Sequence, residues 1–134
     1  IAALLADDEI SRGRENADDA SYEAAFDRVA RDSSHYLAVV RDETGAPVGT
    51  MQLTVLPGLS RGGTTRLQIE GLRVAAAQRG RGLGTAMLGW AHDHGRAHGA
   101  TLVQVTTDVI REDARRFYRK LGYGTDHVGL KRAL

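Results

Sequence analysis

The chain has 134 residues, 42% hydrophobic and 26% charged, and a formal net charge of +1. That length suits one domain with a real core, and so small a net charge gives no bulk attraction to nucleic acid or to a membrane surface. Cysteine is absent, which excludes a disulfide framework, a thiolate metal site and a cysteine acyl-enzyme. No apolar run approaches the ~20 residues of a membrane span and no signal peptide is visible, so a cytoplasmic protein is expected.

Ile1 to Ile10 places Ile1, Leu4 and Leu5 at helical spacing, and Asp7, Asp8 and Glu9 follow. The chain begins at Ile1 rather than Met inside this pattern, so its natural start is expected upstream. Ser11 to Asn16 reads as a polar loop. Ala17 to Arg31 reads as a second helix, with Tyr22, Ala25, Phe26 and Val29 on one stripe and Asp18 and Asp19 in the first turn. The acids fit a solvated helix end, or an attraction site for a cationic acceptor.

His35 to Arg41 is rich in β-formers, Asp42 to Gly45 is a turn, and Val48 to Leu56 is the return strand. On it Met51, Leu53 and Val55 alternate with Thr50, Gln52 and Thr54. Leu59 to Gly63 is a loop tip. Thr64 to Ala75 is the next strand, and its alternation slips. Leu67 and Ile69 are apolar at odd positions, Leu72 and Val74 at even ones. A one-residue slip would turn the apolar set to the wrong face, and a β-bulge at Glu70-Gly71 repairs it. The bulge would free backbone groups near Leu72 and Val74 for an extended ligand. The alternative is an exposed Glu70 at a simple twist.

The stretch Gln78-Arg79-Gly80-Arg81-Gly82-Leu83-Gly84-Thr85 then leads into a helix from Leu83 to His98. Glycines at a strand-to-helix turn allow close backbone approach, and the first N–H groups of the helix favour an anion. Arg79 and Arg81 add positive charge. The residues read as a phosphate or pyrophosphate cradle, or as an ordinary glycine-rich turn. Neither the Lys-containing phosphate loop nor G-x-G-x-x-G is matched. On the helix Leu83, Ala86, Met87, Trp90 and Ala91 are expected on the core face, with Gly99 as the C-cap. His94 and His98 have the spacing of a zinc pair, but no third ligand accompanies them and no metal is expected. Thr101 to Thr107 reads as a buried strand parallel to the one before the glycines. Glu112 to Leu121 is a helix capped by Gly122, and His127 to Leu134 is expected to be a closing strand.

The pattern [QR]-x-x-G-x-[GA], met by Arg79, Gly82 and Gly84, resembles the acetyl-CoA loop of the GNAT superfamily of N-acetyltransferases. The block R-E-D-A-R-R-F-Y-R-K-L-G-Y, from Arg111 to Tyr123, resembles that family's closing helix. The resemblance covers essentially the whole chain and implies an α/β (α+β) fold. It would be a single domain, 1–134, whose mixed central sheet is splayed at two parallel strands with helices on both faces. The family's first strand has no counterpart here, so either the chain is truncated or the sheet has a different edge. An Asn is common in the family where this chain has Arg111, and Arg can instead reach a phosphate.

The resemblance further implies acetyl-CoA as cosubstrate, held by Leu72, Arg73, Val74, Arg79, Gly80, Arg81, Gly82, Leu83, Gly84, Thr85 and Arg111. Glu70 is the candidate base for the acceptor amine, working through water. The Leu72 N–H is placed to polarise the thioester carbonyl. Tyr118 matches the position of a general acid on the leaving thiolate; alternatively, Phe117 and Tyr118 are plain core aromatics. The acceptor is an amine of a small molecule or peptide, with a pocket drawn from the loops Ser11–Asp18 and Leu59–Thr64 and from the closing hairpin; a homodimer is common in the family. Two rivals stand beside this reading: a non-catalytic CoA sensor or partner domain of the same fold, and an arginine-rich nucleic-acid module, which the low net charge disfavours.

Overall fold

A computed structural model describes residues 1–7, 10, 13, 15 and 18–134. The expected acids Asp8 and Glu9, and most of the expected loop from Ser11 to Asn16, lie outside the described residues. The described chain forms two compact units, residues 1–104 and 105–134.

The first unit is built on antiparallel strands β1 (His35–Arg41), β2 (Pro47–Leu56) and β3 (Arg66–Val74). A fourth strand, β4 (Leu102–Val105), lies beside β3 and parallel to it, giving the order β1-β2-β3-β4. The β1–β2 turn is organised by Asp42, whose Oδ1 accepts from Thr44 N at 2.9 Å, Thr44 Oγ1 at 2.6 Å and Ala46 N at 3.0 Å. These bonds, that from the Thr44 side chain foremost, hold the Asp42 carboxyl below its usual range. Gly45 supplies the turn's left-handed residue at φ +86°.

The slip read in β3 is a bulge. Glu70 pairs with Gln52 and Arg73 with Thr50, so Gly71 and Leu72 together oppose Met51. Gly71 has φ +58°, the left-handed residue that such a bulge requires. The consequence for packing is as expected. Val55, Leu53 and Gly49 pair with Leu67, Ile69 and Val74, so the apolar set stays on one face across the slip. Met51, Leu53, Leu67 and Ile69 are buried there.

That face is covered by α3 (Leu83–Ala97), through Met87, Leu88, Ala91 and Gly95. The expected face is therefore corrected: Trp90 is 43% exposed and Ala86 is also exposed, while Leu88 and Gly95 take the inward places. The reason is close approach. A Cβ on Gly95 would sit 3.0 Å from Leu67 Cδ2, and one on Gly49 would sit 2.9 Å from Met87 Sδ; an indole has no room in that gap. Trp90 packs instead at the flank, 5.3 Å from Tyr36 and stacked on His94 at 5.1 Å. His94 also stacks on His98 at 4.2 Å, and His98 Nδ1 lies 2.8 Å from the His94 carbonyl.

Helix α1 (Ala2–Ala6) buries Leu4 and brings Leu5 to the bulge, where a Cβ on Gly71 would meet Leu5 Cδ2 at 3.3 Å. Helix α2 (Asp19–Arg31) starts at Asp18, whose side chain accepts from Ser21 N at 2.8 Å. It lies against β1, where Phe26, Val29, Ala30, His35, Tyr36 and Leu37 line a shallow apolar hollow. Both long caps read from glycine hold. Gly99 N donates to Arg96 O and Ala100 N to Gly95 O at the end of α3.

The second unit carries α4 (Glu112–Lys120), ended by the same motif: Gly122 N donates to Arg119 O and Tyr123 N to Tyr118 O. Two expectations fail for the last two strands read from the sequence. β4 is half-buried at Val103 and Val105 and 36% exposed at Leu102, not a fully buried strand. The closing strand from His127 to Leu134 is absent: the segment is irregular, with Val128 85% and Leu130 91% exposed. An alternating apolar pattern becomes a strand only when a neighbour completes its ladder and covers its apolar side, and these side chains have no such cover.

Candidate active site

The expected donor-side residues fall on one continuous path in the first unit. It runs from Glu70 through the bulge at Gly71 and Leu72 to Arg73 and Val74, through a 3₁₀ turn at Ala76–Gln78, and into α3 at Leu83. Gly80 and Gly82 are left-handed, at φ +73° and +86°. A Cβ at either would meet nothing within 4 Å, so both glycines border open space. Gly82 is the N-cap of α3 and offers no side-chain cap, and the first turn carries no acidic residue. The N–H groups of Leu83, Gly84 and Thr85 therefore have no intrahelical acceptor and face the positive end of the helix dipole. Backbone donors at such a helix end suit an anion.

The arginines of the loop have distinct roles. Arg81 Nη1 donates to Gln78 Oε1 at 3.2 Å. Arg79 is turned back on the chain: Nε donates to Val74 O at 2.9 Å, and Nη2 to Asp7 O at 2.7 Å and Asp7 Oδ2 at 3.2 Å. Arg73 Nη1 donates to the Leu72 carbonyl at 2.9 Å.

Glu70 is exposed and pairs across to Gln52. Cross-strand partners share a face, so Glu70 stands on the face opposite α3, with a group of polar side chains. Gln104 Nε2 donates to Gln68 Oε1 at 2.6 Å. His35 Nδ1 lies 2.9 Å from Thr54 Oγ1 and 3.3 Å from Gln52 Nε2. On the other side of the ring, His35 Nε2 lies 3.7 Å from Asp32 Oδ2. Sequence reasoning recognised the alternation of Thr50, Gln52 and Thr54 but did not join it to His35, Gln68 and Gln104. The signal was available in the register that the bulge enforces.

In the second unit, Arg111 occupies the N-cap position of α4 and Tyr118 lies half-buried on that helix. The Tyr118 ring is 5.4 Å from Phe117 and edge-on to Tyr123 at 5.3 Å. Burial, reinforced by Tyr118, pushes the Tyr123 phenol up to about 12. Elsewhere, burial and then the neighbouring His98 hold His94 below the ordinary imidazole range. Among the described residues no group of three or more His, Cys, Asp or Glu is placed to hold a metal ion, and no helix is long and apolar enough to cross a membrane.

Comparison with known proteins gives a consistent set of matches. The profile of the Acetyltransferase (GNAT) family matches residues 2–123. A Salmonella typhimurium protein named aminoalkylphosphonate N-acetyltransferase is 37% identical over 67 residues, which span 50% of this chain and 44% of that protein. The aligned region is thus less than half of that relative. A solved structure described as a transcriptional regulator from Bacillus halodurans C-125 superposes with a TM-score of 0.94 at 38% identity, covering 99% of this chain and 90% of that one. Glucosamine-6-phosphate N-acetyltransferase from Arabidopsis thaliana shares the fold, with a TM-score of 0.78 at 19% identity, covering 99% and 88% of the two chains.

Proposed function

This chain belongs to the GNAT family of acetyltransferases, and on that premise we propose that it moves an acetyl group from acetyl-CoA to a primary amine of a small molecule or protein, by direct transfer in a ternary complex. The observation that carries the proposal is the pairing of a glycine bulge in β3 with an open, glycine-bordered helix mouth a few residues later. An extended thioester cosubstrate with a diphosphate needs both. The mouth offers N–H donors to the diphosphate, and the bulge breaks the ladder beside the position of the acetyl group.

In this reading the N–H groups from Gly80 to Thr85 hold the diphosphate, with Gly80 and Gly82 giving the room for it; the Arg79 N–H expected among them is donated to the Ala76 carbonyl at 3.2 Å. Arg73, Val74 and Arg111 complete the donor site. The N–H of Leu72 polarises the thioester carbonyl. Glu70 takes the amine proton through water, which frees the nitrogen lone pair to attack the carbonyl carbon. As the carbon–sulfur bond breaks, the phenol of Tyr118 gives its proton to the thiolate. Unperturbed phenols and alkyl thiols have comparable basicity, which makes such a transfer nearly balanced. The chain has no cysteine to carry the acetyl group, which favours direct transfer over a thioester relay.

The test is acetyl-CoA turnover by the purified chain against a panel of amines, with aminoalkylphosphonates included on the strength of the Salmonella relative's name. On a responsive acceptor, Glu70→Gln and Tyr118→Phe each lower kcat by about 10²–10⁴. Full turnover in both variants would remove their assigned roles. No heat and no thermal protection with CoA would remove the function itself.

A second reading keeps the donor site and drops the chemistry: a CoA-responsive regulatory domain. It is favoured by the Bacillus halodurans relative's description as a transcriptional regulator. CoA binding without turnover across the panel selects this reading over the enzyme.

A further inference from the structure

Asp7 makes contacts that the acetyltransferase reading leaves unused. It follows α1 and reaches the base of the glycine loop, 69 and 72 residues further along the chain. Its Oδ2 accepts from Ala76 N at 3.2 Å and from Arg79 Nη2 at 3.2 Å, and its own carbonyl accepts from the same Nη2 at 2.7 Å. Arg79 Nε is meanwhile held by the Val74 carbonyl at 2.9 Å. One guanidinium and one carboxylate thus tie three points together: the last residue of β3, the first residue of the 3₁₀ turn, and the end of α1.

From this geometry we propose that Asp7 is a positioning residue for the acetyl-CoA loop, acting through Arg79 and the Ala76 N–H. The inference rests on the reading of that loop as the donor site. The loop cannot fix itself. Gly80 and Gly82 carry no side chains and border open space, and two left-handed glycines on either side of Arg81 leave many backbone alternatives. A clamp at the loop's base removes that freedom before the ligand arrives, so less ordering is left for binding to impose. The clamp also sets the sign of the expected effect. If the Arg79 guanidinium were chiefly a phosphate ligand, Asp7 would compete with the phosphate, and removing the carboxylate would tighten binding. With Arg79 committed to two carbonyls besides the carboxylate, its work is to shape the backbone, and removing Asp7 weakens binding. The side chains of Arg79 and Asp7 are 50% and 44% exposed, so solvent screens the pair and the effect is modest.

The experiment compares wild type, Asp7→Ala, Asp7→Asn, Arg79→Ala and the double variant Asp7→Ala/Arg79→Ala. It measures CoA affinity by calorimetry, the separate KM values for acetyl-CoA and the acceptor, kcat, and thermal stability. Asp7→Ala raises Kd for CoA and KM for acetyl-CoA about 3- to 10-fold, while kcat and the acceptor KM move less than about 2-fold. Asp7→Asn keeps an acceptor oxygen for the Ala76 N–H and falls between the two. The double variant loses less CoA affinity than the two single losses added together, because the two side chains act largely as one unit; what Asp7→Ala still costs on the Arg79→Ala background is its bond to the Ala76 N–H. Tighter or unchanged CoA binding in Asp7→Ala overturns the proposal. So do additive losses in the double variant, or a uniform loss of all parameters that follows melting temperature. Should wild type itself fail to bind CoA, the donor-site reading falls and takes this inference with it.

Discussion

Replacing Gly71 by Ala tests the bulge directly. Gly71 sits at φ +58°, and an L-residue held in that left-handed region costs about 1–2 kcal/mol. The added Cβ would also come to 3.3 Å from Leu5 Cδ2. That methyl ends a flexible side chain on a five-residue helix, so a small rotation relieves the contact and adds only a few tenths of a kcal/mol, about a third of the backbone term or less. A loss of about 1–2 kcal/mol lowers the melting temperature by about 3–8 °C in a chain of this size. The functional loss is larger. If the strained residue relaxes towards a regular ladder, Leu72 to Val74 turn over, and a misplacement of ~1 Å at a reacting centre costs about 10²-fold in rate. Gly45→Ala is the control: the residue has φ +86° at a hairpin tip, and its Cβ would meet nothing within 4 Å. It carries comparable backbone strain far from the glycine loop in sequence. Both variants therefore melt early, but only Gly71→Ala loses kcat/KM for acetyl-CoA. Equal kinetic losses in the two would refute the role given to the bulge, and an unshifted melting temperature in Gly71→Ala would refute the backbone argument itself.

Two further outcomes are expected from packing and protonation. In α3, Gly89→Ala meets nothing within 4 Å and stabilises by about 1 kcal/mol through helix propensity. Gly95→Ala gains the same propensity but brings its Cβ to 3.0 Å from Leu67 Cδ2 and 3.3 Å from Leu67 Cβ. Overpacking of about 1–3 kcal/mol then cancels or reverses the gain, and Gly95→Val destabilises outright; denaturant titration of the three variants reads the difference. For Tyr123, the phenol is neutral in the fold up to about pH 12 but ionises near pH ~10 when unfolded. Its contribution is present below pH ~10 and is lost as pH rises from there through 12. Stability measured across that window falls in wild type and falls less steeply in Tyr123→Phe.

The bulge and the helix caps were legible because each is a local rule with a single physical solution. An apolar alternation that changes parity must be repaired by one extra residue, and a glycine beside the change of parity identifies where. Gly99 and Gly122 follow runs of helical period, and the left-handed cap has few other residues to choose from. The inward face of α3 was harder. Hydrophobic spacing nominated Trp90 and passed over Leu88, because periodicity counts apolar residues without knowing how closely the sheet approaches. Gly49 and Gly95 decide that distance, and they do so only once β2 and β3 are paired. Contacts across 69 and 72 residues, such as those of Asp7 with Ala76 and Arg79, leave no periodic trace at all.

The failure of the segment from His127 to Leu134 to form a strand makes the complementary point. Val128, Leu130 and Leu134 have the spacing of strand residues but are exposed, whereas β3 carries a comparable alternation and is buried. The difference lies in the neighbours. β3 has a partner strand on each side and α3 across its apolar face, so its pattern is satisfied three times over. A pattern of period two states what a segment would bury if covered; it does not supply the cover. The same distinction separates the two halves of the proposed mechanism. The donor half, from Glu70 to Thr85, is one continuous segment, shaped by its bulge and turn and tied at its base by Asp7. The acid assigned to Tyr118 comes from α4, and its role depends on chemistry that the segment alone does not contain. Donor binding is therefore the property that should survive Tyr118→Phe with CoA affinity unchanged, while kcat alone falls.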